Sequence, residues 1–149
     1  MESIWHTIDW NNYLTNKINI KMTKRNKIIY WVSTVWLSFG MASGGIFQMM
    51  KMENAVKNFQ HLGYPEYLLT ILGVWKLLGV IAILIPKYAL LKEWAYAGFF
   101  FAMSGAFVSH IIMGDSFGDT FPSVLTMILV VVSWCFRPDD RKISTSIVK

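Results

Sequence analysis

The sequence predicts an all-α polytopic membrane protein, a four-helix transmembrane bundle with both termini in the cytoplasm. Three observations predict it. Hydrophobic residues make up 54% of the 149 and charged residues only 15%, too few charges for a soluble domain of this size to cover its core. Four apolar runs, about 28–50, 67–85, 94–113 and 121–136, come close to the roughly 20 residues that carry a helix across a hydrocarbon layer about 30 Å thick. The basic residues are also lopsided. Lys17, Lys21, Lys24, Arg25 and Lys27 precede the first run, Lys87 and Lys92 separate the second from the third, and Arg137, Arg141, Lys142 and Lys149 follow the fourth. Only Lys51 and Lys57 fall on the other side, so the positive-inside rule places both ends of the chain in the cytoplasm. The formal charge of +5 then reads as a topology signal with some attraction to anionic membrane lipid, and no nucleic-acid partner is expected.

Taken in order, residues 1–27 form a polar, basic N-terminal extension with no apolar signal core, and Met22 opens "MTKRNKIIYW" as an alternative start. The first helix, 28–50, carries Gly40 and Gly44 as a GxxxG pair with Ser33 on the same face, a pattern that brings helices close in lipid. An outer loop follows, in which Gly63 breaks any helix and Pro65 sits where the second helix opens. The short inner loop "PKYALLKEW" makes the second and third helices antiparallel neighbours. In the third helix Gly98, Ala102, Gly105 and Ser109 repeat as a small-residue stripe, suited to packing within one chain or between two copies in a homodimer. Pro122 stands at the start of the fourth helix, along which Ser123, Thr126, Val130 and Ser133 form a milder stripe, and 137–149 is a cytoplasmic tail. Tyr30, Trp31, Trp94, Tyr96 and Trp134 fall at the depth of an inner aromatic belt, Tyr64 and Tyr67 at that of an outer one. Cys135 is the single cysteine, which excludes dithiol chemistry within one chain.

Lys76 interrupts the second run near its middle. At 1.5 Å per residue it lies about 14 Å from either end, beyond the reach of a snorkelling lysine stem. A central lysine opposes insertion by about 2.5–3.5 kcal/mol, which the leucines, isoleucines and valines of the same run outweigh. Gly73 and Gly79 share its helix face, so Lys76 points into the bundle, where no other run offers an Asp or Glu at the same depth. Two readings stand: a ligand site, with Trp75 and Ser104 as further lining candidates for a flat apolar molecule, or a lysine hydrogen-bonded between helices. A second polar group, Gln48, His61, Tyr64, Glu66, His110 and Asp115, gathers at the outer face. It contains neither HxxxH nor ExxH spacing, so no metal site is expected.

The segments "KIIYWVSTVWLSFGMASGG", "HLGYPEYLLTILGVWKLLGVIAILIP" and "LKEWAYAGFFFAMSGAFVSHIIMGD" together resemble the DoxX-like family of small bacterial four-helix membrane proteins. The resemblance covers about residues 22–137, and it marks His61, Gly63, Tyr64, Pro65, Lys76, Gly79, Glu93, Gly105, His110 and Asp115 as family-pattern positions. It implies a multi-pass protein of the bacterial cytoplasmic membrane, associated with respiratory, quinone-linked oxidation and with a membrane oxidoreductase partner. The chain itself carries no cysteine pair, haem motif or nucleotide loop. Three functions stay open: an accessory subunit holding an apolar, quinone-like molecule at Lys76, a structural partner-binding protein, and a small transporter using Lys76 as an anion site.

Overall fold

The computed structural model describes residues 24–143. The alternative start at Met22, the extension up to residue 23 and the last residues of the tail lie outside the described residues. Among the described residues there are five α-helices where the sequence predicts four: α1 (Lys24–Met49), α2 (Glu53–His61), α3 (Tyr67–Leu84), α4 (Ala89–Met113) and α5 (Phe117–Cys135), with a short 3-10 turn at Asp139–Arg141. The additional helix is α2, in the expected outer loop. Ala55, Val56 and Phe59 fall on one half-buried face, and Glu53 pairs with Lys57 at 2.6 Å on the exposed one. Nine residues are too few to register as an apolar run, yet enough for an amphipathic cap.

The helices α3, α4 and α5 are each long and apolar enough to cross a membrane. At 26 residues α1 is longer, but Ser33, Thr34, Ser38, Ser43 and three glycines dilute its apolarity below theirs. Large apolar side chains cover the outside of the bundle, with Phe39, Phe101 and Ile112 all more than 70% exposed. A surface of that kind is covered by lipid, and the protein is a transmembrane protein. Three helices also start earlier than the apolar runs, at Lys24, Ala89 and Phe117. Good helix formers such as those of "ALLKE" continue the coil into the polar boundary, which hydropathy alone does not register.

The four long helices form a ring: α1 packs on α3 and α5, and α4 packs on the same two. The closest crossing is α1 against α3. A Cβ on Gly73 would come within 2.8 Å of the Gly45 carbonyl oxygen, and one on Gly45 within 3.0 Å of the Gly73 oxygen. Gly45 therefore takes the role expected of the Gly40–Gly44 pair; Gly40 has no neighbour at its Cβ position, and Gly44 faces the Lys76 ammonium at 3.9 Å. The stripe on α4 seats no helix of the same chain at its glycines. Gly98 and Gly105 meet nothing within 4 Å, so the small residues leave space beside α4 instead of seating a helix there.

Packing is concentrated in the half of the bundle nearer the described ends of the chain, around Leu37, Met41, Val80, Ile83, Tyr96, Phe99 and Val130. Tyr30 and Tyr96 belong to this interior and not to an aromatic belt. The Tyr96 hydroxyl lies 2.7 Å from Ser133 Oγ, which lies 2.6 Å from Thr34 Oγ1, so one buried hydrogen-bonded chain ties α4, α5 and α1. The same end is closed by cations. Lys92 is 0% exposed and donates to the carbonyls of Ala82 (3.2 Å), Ile83 (3.0 Å) and Ile85, capping the C-terminus of α3. Glu93 accepts from Arg137 and from Trp134 Nε1 at 2.6 Å. Arg141 donates to the Tyr30 hydroxyl at 3.1 Å and stacks 5.0 Å over Trp31, which brings the start of α1 and the tail to one end.

Candidate functional site

The opposite half of the bundle is hollow, and two turns shape it. Both α2 and α4 end in Schellman motifs that require a left-handed residue. Gly63 (φ 75°) follows α2, with the Tyr64 amide donating to Phe59 and that of Gly63 to Gln60. Gly114 (φ 73°) follows α4, with Asp115 donating to His110 and Gly114 to Ile111. These reversals bring the two helix ends together and turn the Asp115 side chain back over α4. His61 Nε2 lies 2.6 Å from one oxygen of Asp115, and His110 Nδ1 lies 2.6 Å from the other. Two imidazole donors, His61 first and His110 second, hold the Asp115 carboxyl below its ordinary value of 3.8. The trio latches α2, which also packs lightly on α1 and α3, to the end of α4.

Under that latch lie two cavities. One, of about 380 Å³, follows the seam between α3 and α4, where Leu72, Trp75, Gly79, Gly98 and Ala102 contribute to an apolar lining. The other, of about 440 Å³, lies beneath α2 and is more polar, taking in Asn54, Asn58, His110, Asp119 and Thr126. They share Gln48, Phe59, Leu62, Lys76, Met103 and Ala106, so they form one chamber with Lys76 and Gln48 at its waist.

Lys76 is held there by its glycine neighbours on α3. Gly73 seats against α1, and Gly79 seats against Phe99 of α4, so the face between them looks into the bundle. Among the described residues Lys76 makes no hydrogen bond, and no carboxylate lies within ion-pair distance. Gln48 Oε1 is buried and has no hydrogen-bond partner either. Lys76 and Gln48 thus line the same two cavities, and neither the ammonium nor the buried amide oxygen has a hydrogen-bond partner among the described residues.

The other sequence candidates divide. Trp75 borders the seam cavity but is 66% exposed, forming its rim and not its floor. Ser104 is not brought to Lys76; its hydroxyl donates to Phe101 O of its own helix at 2.9 Å, and it lines neither cavity. The outer polar group separates into the His61–Asp115–His110 trio, a Tyr64–Ser109 hydroxyl contact at 2.5 Å, and Glu66 accepting from Gln60 at 3.1 Å. Gln48 belongs to the chamber instead. Among the described residues no three His, Cys, Asp or Glu side chains are placed to hold a metal ion.

Lys92, Arg137 and Arg141 are functional in holding the fold, and the sequence reading counted them only as cytoplasmic charge. A signal existed for Lys92, which follows the end of α3 within reach of its last carbonyls.

No curated protein and no solved structure matches the chain. The sequence pattern of the DoxX-like family, however, matches residues 32–133, from the third turn of α1 to the buried Ser133 of α5, and so takes in α2, the latch, the chamber and Lys76. The chain is a membrane protein that belongs to the DoxX-like family.

Proposed function

We propose that the protein is a ligand-holding accessory component of the bacterial cytoplasmic membrane, crossing it four times with both termini inside. Its ligand is an apolar molecule that presents a hydrogen-bond acceptor to Lys76, of which a quinone-like carbonyl is an example, and its partner is a membrane oxidoreductase. The fourth crossing is α1, whose outward Val32, Val35, Trp36 and Phe39 are exposed like the lipid-facing residues of the other helices. One observation carries the reading: the Lys76 ammonium lies between helices without an acceptor among the described residues and opens onto a cavity of about 380 Å³. That volume falls within the range of about 300–1,000 Å³ usual for small-molecule sites, and an intramembrane ionisable group without a structural partner is a functional candidate by default.

The test is mass spectrometry and absorption of the gently purified native complex. A bound apolar small molecule is expected, and it is lost in Lys76→Met while the fold is kept. A Lys76→Met protein with unchanged ligand content would overturn the reading.

A further inference from the structure

We infer that the chamber takes a single-chain amphiphile with an acidic head, its head at Lys76 and Gln48 and its tail in the seam between α3 and α4. The inference rests on the ligand-holding reading of Lys76 and goes past it in fixing the charge and shape of the occupant. Charge comes first. A neutral carbonyl would accept a hydrogen bond from Lys76 but leave its positive charge uncompensated, and no Asp or Glu among the described residues reaches it. A carboxylate or phosphate head supplies that counter-charge and accepts the hydrogen bond as well. A water bound to that head, or the remaining hydroxyl of a phosphate monoanion, is a donor of the kind that Gln48 Oε1 lacks.

Shape follows from the two cavities. Above the waist the lining is polar, with Asn54, Asn58 and Thr126, where a head can keep part of its hydration. Along the seam the lining is apolar and follows α4 from Ala106 to Trp94, about 18 Å of helix. Its α4 side carries Gly98, Ala102 and Gly105, and the two glycines have open space where a Cβ would stand. Trp75, Trp94 and Phe101 are each about two-thirds or more exposed along its rim, so the seam opens toward lipid. A groove with open space at two glycines along one side and a lipid-facing opening suits a flexible hydrocarbon tail. Asp119, on the first turn of α5, lines the far part of the polar cavity and disfavours a free anion arriving from the aqueous side. The ligand therefore arrives sideways from the membrane.

The experiment uses the full chain in lipid nanodiscs, titrated with oleate, oleate methyl ester and a short-tailed neutral benzoquinone, with occupancy read by native mass spectrometry. One oleate per chain is expected. Losing the cation in Lys76→Met is expected to weaken oleate roughly ten- to hundredfold, the usual worth of a hydrogen bond to a charged group. The methyl ester is expected to bind as weakly to the native chain. Gly105→Leu, at a position with room for the added side chain, is expected to exclude oleate while leaving thermal stability unchanged. Oleate binding that survives Lys76→Met in a folded protein, or a methyl ester as tight as the acid, would overturn the inference. So would Gly105→Leu leaving oleate untouched. Benzoquinone held in a Lys76-dependent way while oleate is refused would overturn the acidic head and leave the ligand-holding reading standing. If the native chain holds none of the three, both fall together.

Discussion

Lys92 donates to the carbonyls of Ala82, Ile83 and Ile85, whereas Lys76, on the helix those carbonyls end, donates to none. The contrast gives opposite expectations for the same substitution. Lys92→Met takes this donor from the Ala82 and Ile85 carbonyls and leaves that of Ile83 with only a long bond from Arg141, a loss of roughly 1–3 kcal/mol that should lower the thermal midpoint in detergent. Lys76→Met removes an enclosed charge that nothing compensates and should hold or raise that midpoint. Melting the two variants beside the native protein checks the pair; equal losses would mean that both lysines are structural. Sequence reasoning found Lys76 because its depth and glycine flanks are properties of one helix. It missed the role of Lys92 because that role depends on where the previous helix ends, and it misplaced Ser104 because a serine on a helix can turn back to its own carbonyls. Tyr30 and Tyr96 were hidden for a related reason. A tyrosine near a membrane boundary suits a belt or a buried hydrogen bond equally, and only the partners Arg141 and Ser133 decide.

At the level of elements, α2 is the least anchored helix, and its tie to α4 runs through the Asp115 carboxylate together with the Tyr64–Ser109 contact just past its end. Because the hydrogen bonds from His61 and His110 depress the Asp115 carboxyl, the latch contributes stability that is fully present above the unfolded carboxylate value. That contribution is lost as pH falls through the lower, folded value. Hydrogen exchange of the α2 amides should therefore be slow and nearly constant from neutral pH down to the ordinary carboxylate range, then quicken below it once intrinsic rates are allowed for. Asp115→Asn should give the quickened exchange already at neutral pH, while α3 and α5 stay protected. If α2 exchanged identically in both proteins at every pH, the latch would have no part in seating it. The residues of this element were partly legible. Gly63 and Pro65 marked the reversal after α2, and His61, His110 and Asp115 were grouped from their positions at one face. The helix itself was not legible, since a nine-residue amphipathic segment looks like polar loop when the scan is for membrane-length runs. For the α4 stripe, spacing shows that residues are small, not whether a neighbour in the same chain fills the space they leave.

For the molecule as a whole, the ring of four long helices was the most legible feature, because lipid imposes a length and an apolarity that few sequences meet by accident. Its orientation rests on charge. The cations at the end shared by the start of α1, the α3–α4 turn and the tail divide into two groups that act differently. Lys92, Arg137 and Arg141 are engaged with carbonyls, Glu93 or aromatic rings inside the fold, so they fix the bundle's end. Lys24, Arg25, Lys27 and Lys87 are exposed and free to meet anionic headgroups. Even with the engaged group set aside, the exposed cations at this end outnumber Lys51 and Lys57 at the other, and the positive-inside rule still directs this end to the cytoplasm. The single native cysteine makes the orientation measurable. In a Cys135→Ser background, a cysteine replacing exposed Lys57 on α2 should react with a membrane-impermeant maleimide on intact cells. One replacing exposed Lys142 in the tail should react only after the membrane is opened. The reverse pattern would put α2, its latch and the polar mouth of the chamber on the cytoplasmic side. Labelling of both positions on intact cells would instead mean an even number of crossings between them, so that one of α3, α4 and α5 does not span the membrane.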